Sequence, residues 1–241
     1  MGDRYFVDDP VTTDHVTLAG TEAHHLVHVM RATPGDQVTL FDGSGDEFSA
    51  VVDRVGRADI RLAIVSRQRV DRELPFALTL AVALPKGERQ KWLVEKAVEL
   101  GITRIVPLRT SRAVADAGQQ ARARLGRAVI EASKQCGRNR LMAIDPPRAW
   151  EELVAETLGQ PCRLLAHPGA GGNPTAASIQ SGADVLAAVG PEGGFTDEEV
   201  QLAIASGWRA IDLGPRILRI ETAAIALATV ISQCTRQSSP S

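Results

Sequence analysis

Aromatic residues make up only 4% of the 241 positions, there are three cysteines, and no apolar run approaches the length of a membrane span. The first shortage argues against a protein that works by stacking many bases on aromatic platforms. The second argues against a disulfide framework or a cysteine metal site, because Cys136, Cys162 and Cys234 are odd in number, far apart, and without CxxC or His-Cys spacing. The third leaves no candidate transmembrane helix, which would need about 20 apolar residues. Asp3 and Arg4 interrupt the stretch where a signal peptide would be apolar, so a cytoplasmic protein is expected. Two common nucleotide signatures are missing as well: no GxGxxG follows the first long apolar strand, and no GxxxxGK[ST] occurs. His24, His25 and His28 have helical spacing but no carboxylate cluster beside them, so no metal is expected.

The net charge of −2 conceals a segregation. Residues 1–85 carry 8 Lys and Arg against 13 Asp and Glu, residues 86–148 carry 14 against 6, and the remainder carries 5 against 10. A basic middle third in an otherwise acidic chain suits a polyanionic partner. Its densest part contains Arg122, Arg124, Arg127, Lys134, Arg138 and Arg140, with Arg138-Asn139-Arg140 reading as a loop.

The first 70 or so residues break into short alternating apolar pieces, 38–41, 47–52 and 60–65, separated by Gly- and Asp-rich turns. That spacing suggests a small β-barrel-like module, preceded by a helix from Thr21 as cap to Met30. A charged stretch from Arg67 to Pro75 reads as a boundary. After it the texture becomes alternating strand and helix, as in a parallel α/β sheet. Strands are predicted over 76–84, 104–108, 163–166, 185–189 and 210–213, with helices over 88–100, 119–136, 150–158 and 221–234. Gly101 is placed to close the first of these helices in a left-handed conformation, and Thr196-Asp197-Glu198-Glu199 fits a capping box. The last helix is apolar on nearly every face, so it must be buried or meet another subunit.

Two glycine-containing loops carry most of the chemistry. Gly190-Pro191-Glu192-Gly193-Gly194-Phe195 follows a buried strand, and Leu213-Gly214-Pro215-Arg216-Ile217-Leu218-Arg219-Ile220-Glu221-Thr222-Ala223 follows another. Loops at the carboxyl ends of strands in an open α/β sheet form the crevice where small molecules bind. Glycine lets backbone approach a ligand without Cβ obstruction. The second loop also leads into a helix, whose free amides favour an anionic or carbonyl-bearing group.

GPEGGF and LGPRILRIETAAIA, together with KGERQKWLVEKAVELG, EASKQCGRNR and the amino-terminal HHLVHVMRATPGD, resemble the RsmE family, bacterial 16S rRNA uridine N3-methyltransferases of the SPOUT superfamily. The resemblance covers nearly the whole chain. It implies an α/β fold made of a PUA-like RNA-binding β-barrel over residues 1–72 and a SPOUT methyltransferase domain with a trefoil knot over residues 73–241. It also implies S-adenosylmethionine as cofactor, 16S rRNA of the 30S small ribosomal subunit as partner, and a homodimer as the working unit. Carried onto this chain, the cofactor pocket would be formed by Leu165, Ala166, His167, Gly190, Pro191, Glu192, Gly193, Gly194, Leu213, Gly214, Ile217, Leu218, Thr222 and Ala223.

Uracil N3 bears a proton, and once that proton leaves, negative charge spreads onto O2 and O4, which a guanidinium stabilises. Arg219 is the candidate for this role, with Glu221 either orienting it or accepting the proton. A structural alternative is an Arg219–Glu221 or inter-subunit ion pair that merely holds the knot. His25, Arg31, Arg112, Arg138 and Arg140 are the candidate RNA contacts. Two other functions are weighed: a non-catalytic rRNA-binding assembly factor, and a SPOUT ribose 2′-O-methyltransferase, whose NxxxxxR and SLN motifs are absent at the expected places.

Overall fold

The computed structural model describes residues 4–113, 119–170 and 183–234. Asp3 and the side chain of Cys234, both considered above, lie outside them. The chain divides into two compact units, one of residues 1–73 with 133–141, the other of residues 74–132 with 142–241.

In the first unit, β1 (Arg4–Phe6), β2 (His15–Ala19), β3 (Gln37–Phe41), β4 (Asp46–Val55) and β5 (Asp59–Arg69) form a curled half-barrel in the order β1-β3-β4-β5-β2. Period-two patterning explains it. Phe48, Ala50 and Val52 of β4 and Ile60 and Leu62 of β5 point inward, while Ser49, Asp53 and Arg61 face solvent. The inward set packs on Tyr5, Leu40 and Leu26. The predicted capped helix takes a different form. α1 (Gly20–His24) starts two residues earlier than expected, with Ala19 rather than Thr21 at the cap position and no side-chain cap, because Gly20 at φ +59° turns the chain directly out of β2. It runs into a π-helical turn over His25–Val29, closed by the Met30 amide donating to the His25 carbonyl. Arg31 then adopts a left-handed φ of +57°.

Residues 133–141 join this unit through a dense polar set. Arg138 is 4% exposed and donates through Nε to Glu73 at 3.0 Å, with a second, shorter bond from its Nη2. Asn139 is likewise buried, accepts from Arg4 and donates to the Val70 carbonyl at 3.2 Å. Lys134 donates to Glu22 at 2.9 Å, and Arg72 donates to the Gly137 carbonyl at 2.8 Å.

The second unit carries a seven-stranded sheet in which every pairing is parallel. Its strands are β6 (Leu78–Val82), β7 (Arg104–Arg109), β8 (Ala143–Ile144), β9 (Arg148–Ala149), β10 (Cys162–Ala166), β11 (Val185–Val189) and β12 (Arg209–Ile211). The order is β12-β10-β11-β6-β7-β8, with β9 paired to β7. The interleaved helices are α2 (Glu88–Glu99), α3 (Gln119–Cys136), whose final residues belong to the first unit, α4 (Trp150–Glu156), α5 (Asp197–Ala205) and α6 (Ile220–Cys234). β11 is buried along its whole length, as expected of a parallel strand covered on both faces. Trp150, Phe195 and Trp208 anchor one side of the core, with ring centroids 4.7 and 5.1 Å from the Trp150 ring. Gly101 closes α2 at φ +82°, and the Ile102 amide reaches back to the Ala97 carbonyl. Cys162 is buried and Cys136 half-buried, in keeping with small apolar side chains.

Candidate functional site

Three neighbouring strands, β12, β10 and β11, end at one side of the second unit, and the loops that leave them enclose a cavity of about 350 Å³. That is within the size range of small-molecule sites. The loop after β10 contributes Ala166, His167 and Pro168. The loop after β11 contributes Gly190 to Phe195, and the loop after β12 contributes Asp212 to Gly214 and Arg216 to Leu218. Ile220 and Ala223 close it from the start of α6, and Arg112 reaches it from the turn after β7.

Each loop is shaped by local chemistry. Gly194, at φ +68°, donates its amide to the Pro191 carbonyl at 2.8 Å, closing the GPEGG turn. A Cβ on Gly190 would lie 2.9 Å from the Phe195 ring, so the backbone there has no room for a side chain. Asp212 fastens two loops at once: Oδ1 accepts the Gly214 amide at 2.9 Å and Oδ2 accepts the Gly169 amide at 3.0 Å. Gly214 stands at φ +108°, the conformation that an Asp-x-Gly turn requires. Arg112 donates to the Gly193 carbonyl at 2.7 Å, holding the glycine loop from outside.

Of the predicted pocket residues, Ala166, His167, Gly190, Pro191, Glu192, Gly193, Gly194, Leu213, Gly214, Ile217, Leu218 and Ala223 line the cavity. Leu165 and Thr222 are not among its lining residues. Leu165 faces the hydrophobic core with Trp150 and Phe195, and Thr222 is exposed on the first turn of α6. Arg219 and Glu221 are not among the lining residues either: Arg219 is exposed in the loop after β12, and Glu221, 7% exposed, lies in the first turn of α6. Glu221 ion-pairs with Arg89 of α2 at 3.7 Å, and the same guanidinium lies 3.7 Å from Glu192 in the GPEGG loop. The second carboxylate oxygen of Glu221 is buried without a hydrogen-bond partner.

Arg89, Asp212 and Phe195 were missed at the level of sequence. The Asp-Leu-Gly spacing could have signalled Asp212, whereas nothing local marks Arg89, whose partners both lie more than a hundred residues away. The RNA candidates separate clearly. Arg31, Arg112 and Arg140 are exposed. His25 is half-buried, with its ring 5.9 Å from Tyr5. Arg138 is occupied by Glu73 and does not reach solvent, so it holds its loop in place.

Comparison with known proteins agrees with this geometry. A model of the RNA methyltransferase domain matches residues 72–232, and a model of the RNA methyltransferase PUA domain matches residues 18–64. The chain belongs to this RNA methyltransferase family. It is 36% identical to the ribosomal RNA small subunit methyltransferase E of Synechocystis, over 89% of this chain and 72% of the relative. The Bacillus subtilis protein of the same name is 28% identical over 95% of both chains. A crystal structure of ribosomal RNA small subunit methyltransferase E from Neisseria gonorrhoeae, bound to S-adenosyl methionine, superposes with a TM-score of 0.87 at 28% identity, covering 98% of each chain. The resemblance read from GPEGGF and LGPRILRIETA is thereby met at the level of family. No group of three or more His, Cys, Asp or Glu side chains that could hold a metal occurs among the described residues.

Proposed function

We propose that this protein methylates N3 of a uridine in 16S rRNA, with S-adenosylmethionine as donor. The observation that carries the reading is the cavity of about 350 Å³ formed by three loops at the carboxyl ends of β10, β11 and β12. Its residues fit such a cofactor. Leu213, Ile217, Leu218 and Ala223 offer apolar surface to a purine ring, while the glycine loops present backbone donors and acceptors without Cβ obstruction. When bound, the cofactor supplies an electrophilic methyl group on a sulfonium.

The chain's own work is alignment and charge stabilisation. Alignment in such a displacement contributes about 7–11 kcal/mol. Arg219, exposed between the lining residues Leu218 and Ile220, stabilises the negative charge that develops on the uracil oxygens. Glu221 sits in the same segment but is paired to Arg89 of α2, which favours a role in holding the loop over proton removal. Arg31 and Arg140 in the first unit and Arg112 in the second are the exposed cations offered to phosphates. The target base must leave its stack to expose N3, since that edge is used in base pairing.

The family resemblance extends the reading to a trefoil knot in the second unit, the 30S subunit as partner, a cytoplasmic location and a homodimer. Half-buried Ile225 and Val230 on α6 are apolar surface suited to a second subunit. A domain division near residue 73 is part of the same reading. The decisive experiment incubates the purified protein with 16S rRNA or 30S subunits and labelled S-adenosylmethionine, then maps modified nucleosides by mass spectrometry. The expected product is one N3-methyluridine. Transfer to a ribose hydroxyl, or cofactor binding without transfer, would overturn it.

A further inference from the structure

One buried carboxylate ties together the two features that press on the glycine loop from either side. Glu199, in the first turn of α5, is 4% exposed. Its Oε2 accepts the Thr196 amide at 2.8 Å, and its own amide donates to Thr196 Oγ1 at 3.2 Å, completing the capping box that the sequence suggested. The other oxygen does something no capping box requires. Oε1 accepts the Ser111 amide, also at 2.8 Å, from the turn that follows β7. The Glu199 carbonyl accepts the Trp150 indole N–H at 3.0 Å, which fixes the same residue from its backbone side.

The two amides held by this carboxylate sit next to the two side chains that shape the GPEGG loop. Phe195 immediately precedes Thr196; its ring packs at a tilt against Trp150 and leaves no space for a Cβ at Gly190. Arg112 immediately follows Ser111, and its guanidinium donates to the Gly193 carbonyl at 2.7 Å. Phe195 thus bears on the start of the loop and Arg112 on its far end. We infer that Glu199 is a positioning residue for this loop: acting through the Ser111 and Thr196 backbone, it sets Arg112 and Phe195 at the spacing that keeps the cavity open. The inference rests on the proposed function only in taking S-adenosylmethionine as the molecule that this loop holds.

The chemistry separates this role from simple helix capping. Glutamine serves at the third position of a capping box as well as glutamate does. It carries one acceptor oxygen and one NH2, so it can satisfy only one of the two amides, and its NH2 would face the N–H of the other. A carboxylate is the side chain that accepts from both. Glu199→Gln therefore spares the cap and breaks the brace.

The test measures S-adenosylmethionine binding by calorimetry, and cofactor KM and kcat with 16S rRNA, for wild type and Glu199→Gln. Expected are a dissociation constant and a cofactor KM each raised about tenfold, equivalent to about 1.4 kcal/mol, with kcat at saturating cofactor within about threefold of wild type. A folded Glu199→Gln protein with the wild-type dissociation constant overturns the inference. Should that variant not fold, hydrogen exchange on the wild-type protein decides: the Ser111 amide is expected to be as protected as strand amides of β7, and free exchange there overturns the brace. Wild-type protein that does not bind S-adenosylmethionine defeats the functional proposal instead, so the two failures are distinguishable.

Discussion

Replacing Gly190 with alanine tests how tightly the cavity wall is built. Gly190 is not in the left-handed region, so the substitution carries no backbone penalty, and its cost comes from space alone. The added Cβ would meet Phe195 Cδ2 at 2.9 Å, Cε2 at 3.0 Å and the Phe195 backbone nitrogen at 3.2 Å. The ring cannot swing away easily: it is buried in the core cluster, with its centroid 4.7 Å from that of Trp150. The backbone nitrogen precedes the capped first turn of α5, which resists displacement. Overpacking of this kind costs about 1–3 kcal/mol. For a chain of this length each kcal/mol lowers Tm by about 2–4 °C. Calorimetric melting of Gly190→Ala should therefore fall by several degrees, and cofactor affinity should fall with it, because relief of the clash pushes the GPEGG turn into the cavity. Adding Phe195→Leu, which removes the ring edge, should cost less in the Gly190→Ala background than in wild type, a coupling that a double-mutant cycle measures directly. A Gly190→Ala protein that melts within about 1 °C of wild type and binds the cofactor equally well would refute the packing argument.

Arg219→Ala should keep its fold and cofactor affinity yet lose about 10²–10³ in kcat, the usual cost of removing a charge-stabilising donor, as read by single-turnover methylation. Arg138 and Arg140 should behave oppositely despite being two residues apart. Arg138→Ala leaves Glu73 without its buried partner and should cost about 3–5 kcal/mol in denaturant unfolding, whereas Arg140→Glu should leave stability alone and lower the salt slope of rRNA binding by about 1. Asp46 supplies a pH signature in the first unit. The hydrogen bond from Arg67 holds its carboxyl below the ordinary 3.8 against the opposing effect of burial, with Arg69 assisting. Its stabilising contribution is thus complete above the ordinary 3.8 and fades as pH falls through the lowered value, so Asp46→Asn should flatten the loss of Tm that sets in as pH falls below 3.8.

The loops that build the cavity were readable because their causes are local. A buried apolar run ending in GPEGG, an Asp-Leu-Gly turn and a Thr-to-Glu capping box each specify geometry within a few residues, and the structure realises them. The parallel sheet was readable for a related reason, since apolar runs alternate with helical periodicity. What was not readable depends on distance in sequence. In β10 both Leu165 and Ala166 belong to one apolar run of a strand covered on both faces, so pattern alone could not say that Ala166 meets the cavity and Leu165 the core. The Gly-Arg-Asn-Arg loop shows the same limit more sharply. Two arginines in a basic segment read as phosphate contacts, because charge density is a property of the sequence. Their separation into one buried and one exposed residue is set by Glu73, more than sixty positions earlier. Residues 133–141 carry the partners for Arg4, Glu22 and Arg72, side chains that by themselves look like ordinary solvated surface. A charge that is buried must be paired, and the pair can be recognised only once the fold has brought its members together. Arg89 follows the same rule at the cavity, where it answers Glu192 and Glu221 from α2. Charged residues thus divide here into those whose role follows from their neighbours in sequence and those whose role follows from a distant carboxylate, and the second kind includes both Arg138 in the first unit and Arg89 beside the cavity.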